Sequence, residues 1–204
     1  MKLNLGCGSD IKQGYVNVDF RQLPGVDRVH DLSIFPWPFE DGSADEILML
    51  DFLEHFPYRL TQMIMLECYR VLKPDGELVV QVPDGRQLSA ALAKEGRYLC
   101  NRCGTRMYRE ARDDGDGSGY DFSNFVACPK SDCQQTADDI AEAAMMRLYG
   151  GQDYAGNFHQ TCFTQQSLFI KAARCGFMNA HMEEVKHQEA NWNLKMRLTK
   201  GDVW

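Results

Sequence analysis

The chain has 204 residues, 44% of them hydrophobic and 25% charged, which fits a globular domain with a sizeable core and excludes a disordered or fibrous chain. A formal net charge of −7 argues against broad, non-specific affinity for nucleic acid, and no apolar run reaches the length of a membrane span. Met1-Lys2 leads straight into an apolar run, so no signal peptide is expected; eight cysteines without one point to a reducing compartment and a cytoplasmic protein.

The first twenty residues organise the rest. Leu3-Asn4-Leu5 predicts a strand that breaks at Gly6-Cys7-Gly8, and Tyr15-Val16-Asn17-Val18-Asp19 predicts a second strand ending on an acid. In open α/β sheets, ligands bind beyond the carboxyl ends of the strands. Glycines there allow close approach to the backbone, and an acid after the second strand can hold ribose hydroxyls. A nucleoside cofactor site is therefore expected. A dinucleotide fingerprint is not. The place of its third glycine is taken by Ile11, and ten residues between Gly8 and Asp19 hardly accommodate a helix to receive a pyrophosphate.

Further along, Arg28-Val29-His30-Asp31 predicts a short third strand ending in an acid. A proline-punctuated loop, Pro36-Trp37-Pro38-Phe39, and a turn at Asp41-Gly42-Ser43 follow. Asp45 to Leu50 predicts a buried fourth strand that runs into Asp51-Phe52-Leu53-Glu54-His55. From Pro57, Leu60, Ile64, Cys68 and Val71 recur at helical spacing, with Met63 and Leu72 beside them. Lys73-Pro74-Asp75-Gly76 stops that helix, and Glu77 to Val82 predicts a fifth strand. Strands alternating with helices imply a parallel α/β sheet.

Four segments in this region carry a resemblance: Asp31-Leu32, Pro38-Phe39-Glu40-Asp41-Gly42-Ser43-Ala44-Asp45, Leu53-Glu54-His55, and Arg70-Val71-Leu72-Lys73-Pro74-Asp75-Gly76. With the glycine loop, their order and spacing over residues 1 to 84 resemble the class I S-adenosylmethionine-dependent methyltransferases, of the small type-11 kind. Three departures are the short link between the first two strands, Ala44 for the usual Phe, and Asp75 for a Gly. The resemblance implies a Rossmann-like, mostly parallel seven-stranded sheet with an antiparallel C-terminal hairpin. It also implies S-adenosylmethionine as cofactor. Gly6, Cys7 and Gly8 would pack against its amino acid and ribose, Asp19 would accept from the ribose hydroxyls, and Phe20 would stack on adenine. Asp31 and the Leu32 backbone would meet the adenine amino group, with Leu50 and Asp51 under the methionyl end. Asn4 stands where the family often has an acid for the methionyl amine.

After Pro83-Asp84 the pattern changes, in the region where such enzymes build a substrate cover. Residues 96–135 are expected to form a zinc-ribbon-like insertion within a single domain spanning 1–204. Cys100 and Cys103 form one pair and Cys128 and Cys133 another, the ligand set of a tetrahedral structural zinc in a segment too small for its own core. A reduced, metal-free loop is the alternative, and His159 with Cys162 is a rival ligand pair. Six basic residues and two acids between Lys94 and Arg112, interleaved with Tyr98 and Tyr108, could grip a phosphate backbone or form a solvated face. Thr136-Ala137-Asp138-Asp139 predicts a capped helix through Ile140, Ala144 and Leu148.

The stretch from Gly150 to His159 is too polar for core, yet carries Tyr154, Phe158 and His159. Its imidazole could position or deprotonate an acceptor, or merely pin the loop. Thr164 predicts the N-cap of a helix through Leu168, Ala172 and Cys175, ended by Gly176; Met178 to Val185 and Asn193 to Thr199 then predict a terminal antiparallel hairpin. The reading is an S-adenosylmethionine-dependent methyltransferase acting on a small molecule, sugar or nucleotide-linked acceptor, with His159, His55, Asp51 and Glu54 as candidate bases. Neither an Asn/Asp-Pro-Pro-Tyr motif nor a Pro-Cys pair follows the fourth strand, which disfavours the usual modification of DNA bases. A nucleic-acid-modifying enzyme using the insertion, another transfer such as aminopropyl transfer, and a non-catalytic binding module remain as alternatives.

Overall fold

The computed structural model describes residues 1–92, 97–99, 106–108, 112–113, 120–121, 148–150, 156–183, 185 and 192–201. In chain order they form β1 (Lys2–Leu5), β2 (Val16–Asp19), β3 (Arg28–Val29), β4 (Ala44–Leu50), α1 (Tyr58–Val71), β5 (Leu72–Pro83) and α2 (Gly85–Leu92). Four short strands follow: β6 (Arg97–Leu99), β7 (Arg106–Tyr108), β8 (Arg112–Asp113) and β9 (Tyr120–Asp121). The chain closes with α3 (Gln165–Ala173), β10 (Phe177–Glu183) and β11 (Asn193–Lys200).

Seven strands make one sheet in the order β10-β11-β5-β4-β1-β2-β3. The pairs from β5 to β3 are parallel, while β11 runs antiparallel to β5 and to β10. This is the mostly parallel sheet with an antiparallel C-terminal hairpin that the sequence pattern predicts. Most buried apolar residues of the central strands stand at alternate positions, in register on one face of the sheet. Leu3, Leu5, Ile47, Met49, Leu78, Val80 and Val82 are all fully enclosed.

On α1 the core face is Ile64, Met65, Cys68 and Val71. Met63, expected beside that stripe, is 50% exposed, because its position in the helical turn faces away from the sheet. The turn expected to stop α1 lies inside β5 as a bulge. Ala44 pairs with Leu72 while Glu46 pairs with Glu77, and Asp75 takes a positive φ of 59°. Asp84 starts α2, which the apolar pattern did not reveal; its carboxylate accepts from the Arg86 amide at 3.0 Å. The hydroxyls of Thr164 and Ser167 cap α3 reciprocally.

The loop between β3 and β4 is clamped to α1. Glu67 Oε1 accepts from the Trp37 amide at 2.6 Å and from Arg70 Nη2 at 2.5 Å, and Arg70 Nη1 donates to the Phe39 carbonyl at 2.8 Å. Trp37 is buried and its indole donates to the Leu32 carbonyl at 3.0 Å.

Within the expected insertion, β6 pairs antiparallel with β7, and β8 with β9. Cys100, Cys103, Cys128 and Cys133 lie outside the described residues. So does the helix expected from Thr136, except that Leu148 and Tyr149 are helical. Among the described residues, no helix is long and apolar enough to cross a membrane.

Candidate active site

A cavity of about 820 Å³ opens at the carboxyl ends of β1, β2 and β4. The turn after β1 forms its floor without a helix. Gly6 takes φ 65°, the Cys7 amide continues the ladder to the Val18 carbonyl at 3.1 Å, and the Gly8 amide donates to Asp19 Oδ2 at 2.8 Å. The other oxygen of Asp19 accepts from the Arg21 amide at 2.9 Å and from Arg21 Nε at 3.2 Å. Asp19 is 4% exposed; Oδ1 accepts two hydrogen bonds, and Oδ2, which accepts one, keeps a lone pair for a further donor. Arg21, whose guanidinium lies 5.5 Å from the Phe20 ring centroid, lines the cavity with Phe20. Burial, with Asp19 nearby, pushes the Cys7 thiol up to about 11, so it stays a neutral thiol.

Beyond β3, the Asp31 carboxylate accepts from the Ser33 hydroxyl at 2.7 Å and the Ser33 amide at 2.9 Å. Those bonds hold it below the ordinary carboxylate range and keep it ionised. Asn4 does not line the cavity. Its Nδ2 donates to the Asp10 carbonyl at 2.8 Å and to Asn17 Oδ1 at 3.0 Å, so it fastens the floor from behind.

The other end is built after β4. Asp51 stands at φ 50°, with its carboxylate accepting from Gln81 Nε2 at 3.0 Å and Asn193 Nδ2 at 2.9 Å. One 3₁₀ turn, Leu53–His55, then presents Glu54 and His55. The segment 156–161 lies across this turn. The Gln160 and Thr161 amides donate to the Glu54 carbonyl at 2.8 and 3.1 Å, and Gln160 Nε2 donates to the His55 carbonyl at 2.8 Å. This brings His159 Nε2 to 3.9 Å from the buried Glu54 Oε1, and the two imidazoles meet edge to face at 4.8 Å. Burial lowers the His55 pKa despite the Phe158 carbonyl at 3.2 Å from Nδ1, so its ring favours the neutral form. Cys162, the rival partner of His159, packs against Gly85 away from this cluster, and Cys68 and Cys175 are core thiols raised by burial.

Residues 5–80 match the family model of a methyltransferase domain. A Methanosarcina mazei S-adenosylmethionine-dependent methyltransferase has the same architecture, with a TM-score of 0.52 at 18% identity over 98% of this chain and 92% of its own. A Pyrococcus horikoshii protein gives a TM-score of 0.53 at 17% identity over 98% and 81% of the two chains. The 1,6-didemethyltoxoflavin-N1-methyltransferase of Burkholderia thailandensis, solved with S-adenosylhomocysteine, gives 0.50 at 15% identity over 98% and 71%. No curated protein matches in sequence. The chain has the fold of the class I S-adenosylmethionine-dependent methyltransferases.

On that methyltransferase fold, Gly6, Cys7, Gly8, Asp19, Phe20, Asp31, Leu32 and Leu50 share one cavity wall with Asp51, His55 and His159. Asn4 alone of the expected cofactor residues sits behind it. Arg21, Gln81 and Gln160 also line the cavity and were not expected. An aspartate carboxylate commonly accepts from the backbone amide two residues on, which is the signal that could have placed Arg21 beside Asp19. Among the lining residues, the carboxylates of Asp10, Asp19, Asp31, Asp51 and Glu54 face a single guanidinium, so the wall suits a cationic ligand.

Proposed function

We propose that this cavity binds S-adenosylmethionine and that the chain transfers its methyl group to an oxygen or nitrogen of a small-molecule, sugar or nucleotide-linked acceptor. The observation that carries the reading is the acidic cavity wall around a buried Asp19, on a floor with no helix for a phosphate. Gly6, Cys7 and Gly8 would hold the cofactor's amino acid and ribose, Asp19 would accept from the ribose hydroxyls, and Phe20, Asp31 and Leu32 would take the adenine. The bound cofactor supplies an electrophilic methyl group on a cationic sulfur. The chain's own task is to align the acceptor against that group, to exclude water and to receive a proton. Asp51, His55 and His159 stand at the acceptor end for the last of these. The spacing of Cys100, Cys103, Cys128 and Cys133 supports a structural zinc in the insertion, and the cysteine usage supports work in the cytoplasm.

Calorimetric titration with S-adenosylmethionine, S-adenosylhomocysteine and NAD tests the cofactor. The first two should bind and NAD should not. A ligand at 100 times its dissociation constant adds about 2.7 kcal/mol, which raises the melting temperature of a chain this size by about 5–10 °C. Asp19→Ala should abolish binding by both sulfur ligands. Wild-type affinity in that variant would overturn the site assignment, and absence of binding by the wild type would favour a non-catalytic binding module on the same fold.

A further inference from the structure

We propose that Glu54, His55 and His159 form a binding site for one divalent first-row transition-metal ion at the acceptor end of the cavity. Each side chain offers one ligand atom, and the three atoms lie within 4.8 Å of one another. A metal with bonds of about 2.0–2.2 Å draws such atoms to roughly 3.4 Å apart, so side-chain rotations of about 1 Å complete the site. The backbone needs no rearrangement. Glu54 and His55 share one 3₁₀ turn, and four hydrogen bonds to that turn from Gln160 and Thr161 fix the segment carrying His159.

The surroundings of each ligand suit the role. The Phe158 carbonyl can only accept, so the bond at 3.2 Å is donated by an N–H on His55 Nδ1, the tautomer that leaves the lone pair on Nε2. A carbonyl behind an imidazole is the usual outer partner of a metal-bound histidine. Glu54 is 1% exposed, and a divalent ion between it and two imidazoles places positive charge beside a buried carboxylate. Two imidazoles and one carboxylate select zinc, cobalt, manganese or iron over magnesium, which prefers an all-oxygen shell. All three residues line the cavity, so the remaining coordination positions face whatever occupies it.

The use of this ion in methyl transfer rests on the reading above; its binding does not. Bound there, it would take an acceptor hydroxyl as a ligand and lower its pKa. The imidazoles would then be ligands, leaving Asp51 as the group that receives the proton.

The test is titration of the full-length chain with cobalt(II), without cofactor or acceptor, followed by optical absorption. A nitrogen-and-oxygen site gives weak visible bands with no thiolate-to-metal charge transfer. A four-cysteine site in the insertion gives intense near-ultraviolet bands instead, so the two are counted separately. The wild type should show one equivalent of the weak-band site. Glu54→Gln and His159→Ala should each weaken it by more than about 100-fold, beyond the cost of losing an outer partner, and leave any thiolate band unchanged. Melting curves check folding; should the buried Glu54→Gln melt early, His159→Ala gives the same readout. No weak-band site in the wild type, or wild-type affinity in both variants, overturns the proposal. Because cofactor binding is measured separately, that result leaves the methyltransferase reading standing or falling on its own.

Discussion

Alanine at Gly6 should destabilise the chain about three times as much as alanine at Gly14. Both glycines are left-handed, with φ of 65° and 80°, where an L residue costs roughly 1–2 kcal/mol. At Gly14 an added Cβ meets nothing within 4 Å, so the backbone term is the whole cost. At Gly6 it would stand 2.0 Å from Cδ2 of Phe52 and 2.7 Å from two more ring atoms. That ring has little room to retreat, being 8% exposed and set edge-on to Phe56 at 4.9 Å. Overpacking of this kind adds roughly 1–3 kcal/mol. The expected losses are therefore about 1 kcal/mol for Gly14→Ala and about 3 kcal/mol for Gly6→Ala. In a calorimetric melt these correspond to falls of about 3 °C and about 9 °C for a chain of this size. Phe52→Ala removes the obstructing ring, so the double variant should be more stable than the sum of the single effects predicts, by about 1–3 kcal/mol. Equal shifts for the two glycines, or strict additivity with Phe52→Ala, would refute the claim that the Phe52 ring packs against Gly6.

Two further outcomes follow from the loop clamp and from His55. Glu67→Ala leaves the amide of buried Trp37 and the Arg70 guanidinium without their shared acceptor, and should cost about 2–3 kcal/mol in urea denaturation. Glu67→Gln keeps an acceptor for the amide and should cost less; equal losses would show that the clamp is charge alone. Burial lowers the His55 pKa from 6.5, so between the folded value and 6.5 the unfolded chain holds more protons. Stability should therefore rise with pH through that window and fall as the solution is acidified below 6.5. Melting temperatures between pH 5 and 7.5 should slope upward, less steeply for His55→Gln; an unchanged slope in the variant would exclude His55 as the source.

Residues 1 to 84 were legible because their signals are local. Apolar runs of strand length, a helical repeat from Leu60 to Val71 and an acid at Asp19 are each written within a few neighbours. What was missed depends on distance. Nothing near Asn4 says that its amide will be used up by Asp10 and Asn17, so its place behind the cavity floor appears only once β1 and β2 pair. The stretch after Pro83 has one strong helix signal, Asp84 as a cap, and only Leu88 is buried among the described side chains of α2, too few for a periodic pattern. Glu54 and His159 are 105 positions apart, and Gln160 and Thr161 reach the turn from 105 to 107 positions away. Each was visible as a chemically able residue; their meeting was not, because it is made by the return of the chain across the carboxyl edge of the sheet.

That return divides the cavity into two ends with different electrostatics. At one end, Asp10, Asp19 and Asp31 stand around a floor of backbone amides, with Arg21 held against Asp19. At the other, a buried carboxylate and two imidazoles sit beside Asp51. Under the methyltransferase reading, the reaction removes the positive charge from the cofactor's sulfur. The carboxylates that attract the sulfonium therefore hold the neutral thioether product less tightly, which favours release of product over retention. The same field would draw a cation towards Glu54, so a metal site at that end needs no separate electrostatic device. The acidic wall around Asp19 thus repels a phosphate at that end of the cavity, where a tight turn stands in place of the helix of dinucleotide-binding sheets.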